Sequence, residues 1–85
     1  MDHFNNLVST QMKTMDKLLY LQSELERCKQ IEQQLISLRQ NTKLSDIRNE
    51  IDQIMVELRT IHEVFEAQTE EVIRSYQETY TVIGR

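Results

Sequence analysis

No proline and no tryptophan occur among the 85 residues, and glycine is confined to Gly84 and alanine to Ala67. Inside a helix Pro costs about 3 kcal/mol and Gly about 1, so this shortage leaves long helices uninterrupted. The lack of alanine means that helices here meet through large side chains, not by close approach of their backbones. Cysteine is nearly absent as well. Cys28 stands alone, which excludes an intrachain disulfide and a cysteine-based zinc site. No run approaches the roughly 18 apolar residues of a membrane span. The segment Met1-Asp2-His3-Phe4-Asn5-Asn6 lacks the basic start and apolar stretch of a secretory signal, so the expected location is cytoplasmic.

Basic stripes are missing too. The net charge is −4, with five basic and five acidic residues in 1–42 but five basic and nine acidic in 43–85. Phosphate backbones and anionic lipid both need clustered Lys and Arg, so neither nucleic acid nor a membrane is an expected partner. A chain of this length makes at most one small domain and is marginal at burying a self-sufficient core.

What the sequence does have is periodicity. Leu44, Ile47, Ile51, Ile54, Leu58, Ile61 and Phe65 follow one another at spacings of three and four, and Val72 rejoins the series after Gln68. The mean spacing of 3.5 is that of a helix keeping one face against a partner helix over many turns. With Leu44 as heptad position a, the residues Met55, His62, Tyr76 and Ile83 fall at e and widen the stripe. A face of three positions per heptad suits a bundle better than a two-stranded coil. With Phe4 as a, the first half reads Phe4, Leu7, Gln11, Thr14, Leu18, Leu21, Leu25, Cys28, Glu32, Leu35 at a and d. Val8, Met15, Ile31, Ile36 and Leu38 lie beside that seam. Two successive threes in Leu25, Cys28, Ile31 mark a slip in register.

Between the halves, Arg39-Gln40-Asn41-Thr42-Lys43 has no apolar member. Ser45 followed by Asp46 resembles a helix N-cap with an acid in the first turn, although Arg48 stands where a capping box has Glu or Gln. The expected fold is therefore all-α: one domain over 1–85, an antiparallel two-helix coiled-coil hairpin with helices at roughly 5–40 and 45–80 and a turn near 40–44. Facing residues would have numbers totalling about 84, bringing the polar positions Gln11 and Thr14 level with Gln68 and Ser75. No Gly or Pro forces the turn, so one continuous helix is the alternative. The β-branched tail 79–85 is expected to fray.

Candidate chemistry is thin. His62-Glu63-Val64-Phe65-Glu66 has a single His where a zinc-protease helix needs two, and His3 is the only other histidine. Cys28 sits at a d position among leucines, with no base placed to activate it. Met12, Met15 and Met55 have the spacing of bundle filling. No cofactor is implied. The residues expected to matter are an interaction seam of Leu18, Leu21, Leu25, Leu35, Leu44, Ile47, Ile51, Ile54, Leu58, Ile61, Phe65 and Val72. A dimer-forming flank of Met15, Ile31, Ile36, Leu38, Met55 and Tyr76 accompanies it.

Two resemblances add to this reading. Asn6-Leu7-Val8-Ser9-Thr10-Gln11-Met12-Lys13-Thr14-Met15 and Glu70-Glu71-Val72-Ile73-Arg74-Ser75-Tyr76-Gln77-Glu78 resemble the small YgaB-like proteins of bacilli. That resemblance implies a cytoplasmic bacterial protein and supplies no activity and no site. Arg48-Asn49-Glu50-Ile51-Asp52-Gln53-Ile54-Met55 is similar to the second-helix motif of the small aspartyl-phosphate phosphatases that regulate sporulation. Those are helical hairpins with Ser at the first position of the motif and Asp at the fifth. Asp52 matches, whereas Arg48 replaces the Ser. The expected function is a non-catalytic protein–protein interaction or scaffold module that self-associates, as a homodimer forming a four-helix bundle, with a further protein partner open. The alternative is a phosphatase-like hairpin acting on a response regulator.

Overall fold

The computed structural model describes residues 2–83, and their side chains as far as residue 78. Two helices account for them, α1 (Asp2–Ser37) and α2 (Asn41–Ile83), with no strand among the described residues. They fold back on one another as a rod of 67 × 15 × 14 Å. The unbroken 3.5-residue spacing, with no breaker before Gly84, is what lets each helix run so far. Asp2 in the first turn of α1 complements the helix dipole.

The reversal occupies Leu38, Arg39 and Gln40. Arg39 adopts the left-handed conformation, with φ 57°. Its N–H donates to the Ile36 carbonyl at 3.2 Å, and the Gln40 N–H donates to the Leu35 carbonyl at 3.1 Å. This pair of bonds is a Schellman motif, which satisfies carbonyls that the helix end would otherwise leave free. The Gln40 carbonyl then accepts from the Leu44 N–H at 2.9 Å, so α2 starts immediately. The turn thus lies earlier than the polar stretch suggests: α1 ends at Ser37, and Ser45 lies inside α2 instead of capping it. Helix α2 extends to Ile83, past the expected end near residue 80, while Gly84 and Arg85 lie outside the described residues.

The earlier turn resets the register. Gln11 meets Thr69, Glu32 meets Arg48 and Phe4 meets Tyr76, and in each pair the two numbers total 80, not the expected 84. This sets each a position of α1 across from an adjoining d and e pair of α2. Leu18 comes across from Ile61 and His62, Leu25 from Ile54 and Met55, and Gln11 from Gln68 and Thr69. Ser75 is buried at the level of Phe4 and not beside Thr14, whose hydroxyl donates to the Thr10 carbonyl of its own helix at 3.3 Å. The best-covered part is nearer the turn, where Cys28, Ile47, Ile51 and Ile54 form the buried cluster with Leu25, Leu35, Leu44 and Leu58 against it. Leu18 and Leu21 extend it toward the middle of the rod.

Candidate interaction surface

The twelve seam positions all face the opposite helix. Leu18, Leu21, Ile47, Ile51 and Ile54 are buried, and Leu25, Leu35, Leu44, Leu58, Ile61, Phe65 and Val72 are half-buried. They are spent on holding the hairpin together. A surface for another molecule must be sought among the flanking positions.

There the structure divides the flank. Met15, Ile36, Leu38, Met55 and Tyr76 are exposed, but Ile31 is half-buried and packs on the core cluster. The two successive threes around Ile31 carry it inward beside Leu35. Met12, Leu19 and Ile73 are exposed apolar residues that the flank expectation omits. Their signal was present: Val8, Met12, Met15 and Leu19 repeat the four-three-four spacing of the seam, displaced to heptad positions e and b.

In an antiparallel pair, e and b positions of both helices share one side and g and c positions the other. Grooves confirm the sides. One groove runs over Gln11, Met12, Met15 and Phe65, and a wider one of about 500 Å³ runs over Gln22, Leu25, Met55, Leu58 and His62. The opposite side holds a groove over Leu7, Thr10, Val64, Ala67 and Glu71.

A polar layer crosses the seam where apolar residues would be expected. The Gln11 side-chain amide donates to the Thr69 hydroxyl, which donates in turn to the Phe65 carbonyl at 2.9 Å. Beside them the Gln68 Oε1 is buried without a hydrogen-bond partner. Such an atom costs on the order of 1–3 kcal/mol.

The groups with potential chemistry are dispersed. Cys28 is fully buried, and desolvation, reinforced by Glu50 and weakly opposed by Arg27, raises its thiol above the ordinary value. It is held as a neutral thiol, the opposite of an activated nucleophile. His62 Nδ1 lies 3.3 Å from Glu66 Oε1 on the exposed surface. Among the described residues no three His, Cys, Asp or Glu side chains converge on a metal position. Asp52 is exposed beside Gln53, Val56 and Glu57. Arg48, at the position of the phosphatase Ser, pairs with Glu32 across the helices at 3.0 Å. Glu24 and Arg27 form a further surface pair at 2.8 Å, and the Arg27 hydrogen bond lowers the Glu24 carboxyl from its ordinary value.

Against known proteins, residues 3–79 match the family model described as YgaB-like protein. The chain belongs to the YgaB-like family. Within it, a protein of Bacillus subtilis (strain 168) described as "Uncharacterized protein YgaB" is 54% identical over 77 residues, covering 91% of this chain and 68% of its own length. The resemblance read from Asn6–Met15 and Glu70–Glu78 thus extends to nearly the whole hairpin. No solved structure matches this YgaB-like chain. No helix among the described residues is long and apolar enough to cross a membrane.

Proposed function

We propose that this YgaB-like chain is a non-catalytic helical interaction module, working in the cytoplasm, that self-associates and offers its acidic ridge to further proteins. One observation supports this above all. Among the described residues six apolar side chains are buried, yet eleven large apolar ones are exposed, with Met12 at 65% and Leu19 at 56%. A monomer leaves that surface in water, and a second helical layer would cover it. The ridge of Glu50, Glu57, Glu71 and Glu78 runs along the g positions of α2, away from the exposed methionines.

Light scattering on the purified chain tests the reading. A dimer at tens of micromolar is the expected result. A monomer with full helicity at high micromolar concentration overturns it. The competing phosphatase reading requires phosphate release from a phosphorylated receiver domain and its loss on Asp52→Ala. We expect no turnover, because Asp52 stands exposed and Arg48 is engaged by Glu32.

A further inference from the structure

The two sides of the hairpin are chemically unequal. Among the described residues, seven of the eleven exposed large apolar side chains lie at e and b positions, with Met12, Met15, Leu19, Met55 and Ile73 among them. Only Tyr20, Leu38 and Val64 lie at g and c, and Leu38 belongs to the turn. Charge follows the opposite trend. The e and b positions of the described side chains hold six charged residues: the bases Lys29, Arg48 and Arg59 balance the acids Glu26, Asp52 and Glu66. The g and c positions hold eleven, five basic and six acidic.

Burying a charge costs far more than an apolar contact returns unless the charge is paired, so the side with more apolar and fewer, balanced charges is the cheaper to cover. Area gives the scale. A compact monomer of 10.2 kDa exposes about 5,300 Å² by the usual scaling with mass. This hairpin exposes 6702 Å², about 1,400 Å² more. A stable pairwise interface covers about 800 Å² on each partner, within that excess.

The geometry points to a second copy of this chain as the occupant of the face carrying Met12, Met15, Leu19, Met55 and Ile73. The side carrying Tyr20, Val64 and the acidic ridge remains open to solvent. This rests on the self-associating reading and specifies its surface. A zero net charge on the covered side lets two identical faces meet without mutual repulsion, which a surface must satisfy to pair with itself in a closed two-fold dimer.

Sedimentation equilibrium on three proteins decides the matter. Met15→Glu combined with Leu19→Glu should raise the dimer dissociation constant at least about 100-fold, the effect of roughly 1.4 kcal/mol lost at each site. Tyr20→Glu combined with Val64→Glu should change it by less than about threefold. All four positions are exposed, so circular dichroism at concentrations above each dissociation constant should show unchanged helicity in both variants. The unaltered protein supplies an independent reading. Oxidation of Met12, Met15 and Met55 by dilute peroxide, followed by peptide mass spectrometry, should slow together as concentration rises through the dissociation constant, relative to free methionine added as reference. A dimer disrupted by the Tyr20 and Val64 pair and not by the Met15 and Leu19 pair overturns the face assignment and leaves self-association standing. An unaltered protein that stays monomeric overturns both.

Discussion

Single residues decide the character of the seam at two levels of the rod. Gln68 sits at a d position, where the heptad asks for Leu or Ile, and its Oε1 is buried without a partner. The neighbouring Gln11 spends its amide on Thr69. Gln68→Leu removes the unpartnered atom and continues the apolar series from Phe65 to Val72. Urea unfolding followed by circular dichroism should show a gain of about 1–2 kcal/mol. Cys28 presents the contrasting case, a side chain of modest size closed off completely. Its folded pKa is raised, so the neutral thiol is favoured in the hairpin while the unfolded chain ionises at its ordinary value. The sign follows: the contribution is intact below that value and is lost as pH climbs from it toward the raised folded pKa. Thermal midpoints measured at pH 7 and at pH 9.5 should therefore fall more in the native sequence than in Cys28→Ala. An equal fall in both would show that the thiol contributes nothing to alkaline destabilisation. The polar layer was legible as residue types, Gln11 and Gln68 at core positions. Thr69 was not, because it stands at e and becomes inward only through its bond to Gln11.

At the scale of the helices, the two stripes could be read directly from spacing, whereas the turn lies about three residues earlier than the polar run suggests. The reason is local chemistry. A Schellman reversal is ordinarily announced by Gly at the left-handed position, and here that position is Arg39. The polar run 39–43 and the Ser45-Asp46 pair pointed instead to a reversal at 40–44, whereas Asn41, Thr42, Lys43, Ser45 and Asp46 are exposed surface of α2. One signal was overlooked. Leu35 and Leu44, the last and first seam residues, are nine apart, about two and a half turns of a continuous helix. In one straight helix they would stand on opposite sides. A reversal between them puts both in one seam, which separates the hairpin from the continuous alternative without any Gly or Pro. Left-handed geometry at a side chain with a Cβ costs roughly 1 kcal/mol, most of which Gly would avoid. Arg39→Gly should raise stability by about 0.5–1 kcal/mol in urea titration, with Arg39→Val lowering it. A loss on Arg39→Gly would mean that residue 39 is not left-handed in solution. Burial also differs along the helices: the closed cluster of Cys28, Ile47, Ile51 and Ile54 is near the turn, and the layer with the unpartnered Gln68 is toward the other end. Amide hydrogens of residues 21–32 and 47–58 should accordingly exchange more slowly than those of 4–14 and 65–75.

For the whole molecule, the question is whether one hairpin is a stable folding unit. Its interior is a single seam with no second layer behind it, and its surface exceeds that of a compact protein of its mass by about 1,400 Å². Most isolated helical stability in proteins comes from packing an apolar face, not from propensity. Each helix here has two such stripes, one inside the seam and one facing outward through Met12, Met15 and Leu19 or Met55 and Ile73. Covering the outward stripe couples folding to association, and mass action then makes stability depend on concentration. If the separated hairpin is largely unfolded, each tenfold increase in protein adds about 1.4 kcal/mol to apparent stability. Thermal unfolding followed from about 5 to 500 μM should thus show a midpoint that rises steadily with concentration. Leu58→Asp, a charge in the inner seam, should abolish helicity at every concentration, since it breaks the hairpin that the outer stripe belongs to. Met55→Glu, one residue of the outer stripe, should instead leave helicity at high concentration and lower the midpoint most when the protein is dilute. A midpoint independent of concentration across that range would mean that the inner seam alone carries the fold, and that the exposed methionines serve some other molecule.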